Sequence, residues 1–231
     1  MNDFYSFLRF ALPGISSSTE LLIFVSLSLN ISNIQSKHPQ LMKELSLSLE
    51  IAIFTLFIFG IGFIYNLIYR TIPCMKVDYS AFAKALDEQK LISLSFFDFK
   101  SNESVIKNIT KENSWGIVNT LWHSRRGNSK LIKETTERSE KFAHLLHNSA
   151  TSLIGFLIAS IIFLFLLINF HDEISICGCI FALIIAFLLG YAHWLFFYNT
   201  LRDFRRFVEV ILYADLTNNK PKKNTKTFSK R

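Results

Sequence analysis

Three stretches of this chain, Ile51 to Tyr69, Leu153 to Phe170 and Ile174 to Leu201, contain no Asp, Glu, Lys or Arg. A bilayer core roughly 30 Å thick needs about 20 apolar residues per helix. A charged side chain at the centre of such a helix costs about 2.5 to 3.5 kcal/mol on insertion scales, so runs without charge are the expected solution. Composition agrees: half of the residues are hydrophobic, 24 are Phe and only 19% are charged, which is more apolar matter than a soluble domain can hide. The expectation is an all-α integral membrane protein with four transmembrane helices in two hairpins and a helical cytoplasmic insert.

The fourth helix has to come from a weaker segment, about Phe10 to Ser32. Pro13 and Gly14 are expected to break its start, and Glu20 interrupts it, leaving Leu21 to Leu29 as the uninterrupted stretch. Glu20 has two readings. It is an intramembrane acid facing a polar pathway, or an acid near the boundary of a shorter, tilted or re-entrant segment. The neighbouring Ser16, Ser17, Ser18 and Thr19 favour the boundary. A cleaved signal peptide is not expected, because only Arg9 precedes the segment and no small-residue cleavage pattern follows it.

Orientation follows from the basic residues, which stay on the cytoplasmic side of a bacterial inner membrane. Residues 70–149 carry 13 Lys or Arg against 9 acids, and residues 202–231 carry 9 against 3. Both regions are therefore expected in the cytoplasm, with His171, Asp172 and Glu173 as a short periplasmic turn. The loop from Asn33 to Leu47 is nearly neutral and decides nothing. The expected divisions are an N-terminal hairpin over 1–70, a cytoplasmic helical domain over 71–149, a second hairpin over 150–201, and an amphipathic helix with a basic tail over 202–231. The net charge of +7 points to anionic lipid. Direct nucleic-acid binding is not expected, since no aromatic and basic residues interleave as a base-stacking surface would need.

Helical spacing dominates the insert. Asp78 stands ready to cap a helix running to Lys90, with Ala81, Phe82, Ala85 and Leu86 on one side. Leu91 to Phe99 reads as a strand or a turn, Trp115 to Trp122 is apolar enough to pack or to touch the membrane, and Gly127 with Asn128 marks a break. From Ser129 the chain meets no Gly or Pro until Gly155, so one helix is expected to run into the third span, a rigid stalk or a carrier of motion. Glu134 with Arg138 and Glu137 with Lys141 support its solvated face at four-residue spacing.

In the last span Gly178, Ala182, Ala186 and Gly190 recur every four residues. Close backbone approach at small residues supplies the contact that binds helices in lipid. This stripe is expected to be a helix interface, serving either the Gly155 and Ala159 face of the neighbouring span or a second copy in a homo-oligomer. His193 falls beside Trp194 and Tyr198, where it reads as an interfacial belt or packing residue in preference to a proton relay. His144 and His147 are spaced like metal ligands but lack a nearby acid or Cys to complete a set. Cys74, Cys177 and Cys179 read as small packing residues, with a disulfide between subunits through Cys177 as the alternative. No nucleophile elbow, phosphate loop or zinc motif is present, and neither an enzyme activity, a metal nor a cofactor is expected.

The C-terminal stretch Arg202 to Leu216 sets Phe204, Phe207, Val208, Ile211 and Leu212 against Arg202, Arg205 and Arg206, a pattern suited to lying in the membrane interface. The Lys-rich end that follows it is expected to be disordered, binding anionic lipid or merely solvated.

Scattered Asn66, Ser160 and His193 are too few polar groups for a channel or transporter pathway. A membrane effector and a membrane anchor or sensor both need the parts that remain. The opening Phe7-Leu8-Arg9 and Leu12-Pro13-Gly14, the two hairpins and the helical insert before the third span resemble the small membrane proteins of bacterial antiphage systems. Examples are the membrane subunit of Kiwa and the membrane effector paired with some retrons. The resemblance implies a non-enzymatic inner-membrane component that responds to infection together with a soluble partner, either as an effector that compromises the membrane or as an anchor or sensor for a soluble effector. That partner is a protein or ribonucleoprotein encoded nearby. The resemblance carries no site residue.

Overall fold

The computed structural model describes residues 2–28, 47–92, 109–169 and 174–218. Among these residues the chain is all-helical. Helix α1 covers Asn2–Ser28, α2 Leu47–Thr71, α3 Ser80–Glu88, α4 Lys111–Arg126, α5 Lys130–Asn169 and α6 Ile176–Asn218, with a short 3-10 helix at Pro73–Met75. Three of them hold apolar stretches long enough to cross a membrane: α1 over Ala11–Ser28, α5 and α6. The loop 33–46, most of the segment from Leu91 to Phe99 (93–99), the turn at His171 to Glu173 and the basic tail lie outside the described residues.

The chain divides into two units. One comprises 1–75 and 141–202, the other 76–140 and 203–231. Helices α5 and α6 contribute to both, because each carries an apolar portion and a charged portion without interruption. At 40 and 43 residues they are roughly 60 Å long or more, about twice a hydrocarbon core. Residues 71–75, 141–149 and 202 cluster with the apolar unit, and 203–218 with the unit built from the insert.

In the apolar unit α1 does not start after Pro13. It runs through it. An interior proline costs a soluble helix about 3 kcal/mol, yet between packed membrane helices the freed groups can be satisfied by neighbours. Pro13 is fully buried. Gly14 beside it is where α1 meets α2: a Cβ there would lie 2.2 Å from the Ile58 carbonyl oxygen. The Pro-Gly pair thus marks a helix contact, not a helix start. Further along, Phe24 of α1, Phe156 and Phe163 of α5 and Ala182 of α6 form one buried cluster. The Phe24 and Phe163 ring centroids are 5.3 Å apart, within the range of favourable aromatic pairs.

In the other unit the core takes Ala83 and Leu86 from α3, Val118 and Trp122 from α4, Ile132 from α5, and Val208, Leu212 and Leu216 from α6. Thr110 and Asn113 form a reciprocal capping box at the start of α4. The cap of α3 is less direct than expected. Tyr79 occupies the cap position, and Asp78 reaches over it to accept the Ser80 backbone N–H at 2.9 Å. That hydrogen bond, aided by the Ser80 side chain and by Lys111 and Arg205, holds the Asp78 carboxyl below its usual titration. Its contribution to stability is present above the ordinary Asp range near pH 3.9 and is lost as the pH falls through its lower folded value. Asp78→Asn is therefore expected to flatten the acid limb of a stability profile measured on the full-length protein in detergent.

Helix α3 ends with Lys90 at φ 50°, the left-handed region. The Lys90 and Leu91 N–H groups donate to Asp87 and Leu86 carbonyls, completing a Schellman turn in which glycine is the favoured residue. A side chain pays about 1 kcal/mol for that backbone. Lys90→Gly is expected to raise the thermal midpoint by a few degrees, and no rise would mean the turn is unstrained.

The C-terminal amphipathic stretch is the continuation of α6, and its apolar side is covered by protein. Trp122 meets Phe207 at a centroid distance of 6.5 Å, and the Arg138 guanidinium sits 5.6 Å from the same ring. Asp215, fully buried, pairs with Arg125 at 3.7 Å. The sequence pattern fits a lipid surface and a protein core equally well. Here α4 and α5 supply the core.

Candidate functional site

Polar groups inside an apolar bundle need partners, and the apolar unit assembles them at one place. Glu20 stands near the middle of the apolar stretch Ala11–Ser28 and is 8% exposed. Its Oε1 lies 2.7 Å from His193 Nε2 on α6, the length of a charge-assisted hydrogen bond. Ser16, one turn back on α1, donates to the same Oε1 at 3.0 Å. Glu20 Oε2 is buried and has no hydrogen-bond partner among the described residues.

The next turn of α1 continues the cluster. Ser17 donates to the Gly14 carbonyl at 3.2 Å and lies 3.2 Å from the Tyr65 hydroxyl on α2. Gly155 of α5 makes room for this contact, since a Cβ there would meet the Tyr65 ring at 2.8 Å and Ser17 at 3.1 Å. Phe156 packs on the His193 ring at 5.4 Å between centroids. One turn along α2 from Tyr65, the Tyr69 hydroxyl is hydrogen-bonded to His147 Nδ1 of α5.

Chemically, a carboxyl and an imidazole at this distance hold a proton between them. Either the ring N–H donates to a carboxylate, or a carboxylic acid donates to the ring. The other polar neighbours are hydroxyls, of Ser16 on the carboxylate and of Ser17 and Tyr65 one turn away. No group of three His, Cys, Asp or Glu gathers for a metal ion among the described residues.

The sequence reading placed Glu20 near a boundary and His193 in an aromatic belt. The structure brings the two together across 173 positions of sequence. Each interrupts an apolar run, and intramembrane ionisable groups tend to pair. That tendency was the available signal. His147 likewise finds its partner on another helix, the Tyr69 hydroxyl of α2.

The small-residue stripe lies against this site. Gly178 abuts the Leu27 carbonyl of α1, where a Cβ would come within 1.9 Å, and Gly190 abuts the Phe156 ring at 2.8 Å. Ala182 is fully buried in the aromatic cluster, with Ala186 at its edge. The stripe therefore serves α1 and α5 of the same chain, while Gly155 faces Tyr65 and Ser17. The remaining side of α6 exposes Ile176, Ile180, Phe187, Leu188, Tyr191 and Trp194, as a lipid-facing surface would.

In the unit built from the insert, an open polar recess of about 410 Å³ is lined by Arg126, Lys133, Thr136, Glu137 and Glu140, with Arg126 bonded to Glu140 at 3.1 Å. No family model matches this chain, and no similar curated protein or solved structure was found.

Proposed function

We propose that this chain is a multi-pass inner-membrane effector of a bacterial antiphage system, with α2 as the fourth span beside α1, α5 and α6. Its action is physical: when a soluble partner bound to the insert is withdrawn during infection, the membrane helices rearrange and the bilayer loses its barrier. The observation that carries this reading is that α5 and α6 each join a charge-free portion to a charged portion in one uninterrupted helix. A partner that binds the charged portions holds the same two helices that supply membrane segments. The basic regions 70–149 and 202–231 favour placing those charged portions in the cytoplasm, where such a partner would be made.

Dye entry and membrane potential, followed in cells expressing the protein alone, with its gene neighbours, and during phage infection, test the proposal. Permeabilisation that the neighbours restrain and infection releases is the expected result. Intact membranes throughout, with protection retained, would replace the effector by an anchor that recruits a soluble one.

A further inference from the structure

Glu20 and His193 do more than satisfy one another. A lone carboxylate or imidazolium in an apolar bundle is costly, whereas a pair holding one proton is neutral in both of its arrangements. The pair also joins α1 to α6 at a point where the two helices otherwise meet through Phe24, Ala182 and the Gly178 contact. Groups facing it from each packed element are hydroxyls or rings. Ser16 and Ser17 come from α1, Tyr65 from α2 by way of Ser17, and Phe156 from α5. None of these supplies a charge to replace the partner. The second carboxylate oxygen, Oε2, is buried and meets no donor among the described residues.

We propose that Glu20 and His193 form a proton-binding site within the membrane unit, and that its single shared proton latches α1 to α6. With that proton in place the bond is N–H to oxygen or O–H to nitrogen, and the site carries no net charge. Removing it to an external base leaves the carboxylate facing a neutral ring with one net negative charge. Adding a second proton, for which Oε2 is the open position, leaves one net positive charge. Either change places an uncompensated charge in the bundle and replaces the charge-assisted bond between α1 and α6 by a weaker one, leaving the Phe24, Ala182 and Gly178 contacts to hold the two helices. The proton is the ligand, and the latch is the helix contact it closes. This inference stands whether or not the protein damages membranes, because it concerns the bundle alone.

The test uses the full-length protein in lipid nanodiscs at neutral pH, with infrared detection of protonated carboxyl and nitrogen resonances of isotopically labelled histidine. The expected result is one proton for the pair. A carboxylic-acid band that vanishes in Glu20→Gln would accompany a neutral His193 ring. Alternatively, an imidazolium signal that vanishes in His193→Gln would accompany an ionised carboxylate. An ionised carboxylate together with a neutral ring would overturn the proposal. The latch is tested by thermal midpoint. Each single substitution is expected to lower it by several degrees, and the exchanged variant Glu20→His with His193→Glu to recover at least half of the loss. An exchanged variant as unstable as the sum of the two singles would mean that the pair is incidental to packing.

Discussion

Replacing Gly178 by Leu is expected to lower the thermal midpoint of the detergent-solubilised protein by roughly 6 to 12 °C, a loss of about 3 kcal/mol. The reason is the nature of what Gly178 touches. Its missing Cβ would fall 1.9 Å from a backbone oxygen, that of Leu27, which cannot rotate aside. Gly190→Ala is the milder control, because its new methyl would meet the edge of the Phe156 ring at 2.8 Å and a ring can tilt. Insertion into the membrane should be unchanged or improved, since Leu partitions into bilayers better than Gly. A Gly178→Leu protein as stable as the parent would mean that α1 and α6 do not approach as described.

Leu212→Ala is expected to cost about 2 to 5 kcal/mol, the range for emptying a fully buried leucine site. The same substitution in a helix lying on lipid would cost well under about 1 kcal/mol. Limited proteolysis reports the difference, because loss of the core around Leu212, Val208 and Trp122 should open cleavage within the last part of α6. Unchanged protection would return that segment to the membrane surface.

How far the chain could be read without its structure depended on which physical signal each part carried. Charge-free runs in α5 and α6 announce membrane helices, because the cost of burying charge leaves a plain mark in the sequence. The uninterrupted run of helix formers from Lys130 onward likewise carries its own evidence. Helix α1 was harder. Pro13 and Gly14 are signals of a break in water, and only the packing of Gly14 on Ile58 makes them a contact within a helix. The stripe at Gly178, Ala182, Ala186 and Gly190 was legible as an interface, but periodicity names no partner, and α1 and α5 had to be seen against it.

The Glu20 and His193 pair was the least legible. Its members lie on helices distant in sequence, and each taken alone had an ordinary explanation as a boundary acid or a belt residue. A helix face meant for lipid carries the same apolar spacing as one meant for protein, so Val208 and Leu212 gave no warning that they would be buried in a protein core. In both cases the decisive fact was a long-range contact. Local spacing cannot encode it.

The central claim, that this protein itself breaches a bilayer, is tested most directly by reconstituting the purified chain into vesicles loaded with a self-quenched dye. Release that rises with the number of protein copies per vesicle is the expected result. Vesicles that keep their dye at every protein density, with the protein demonstrably inserted, would contradict it.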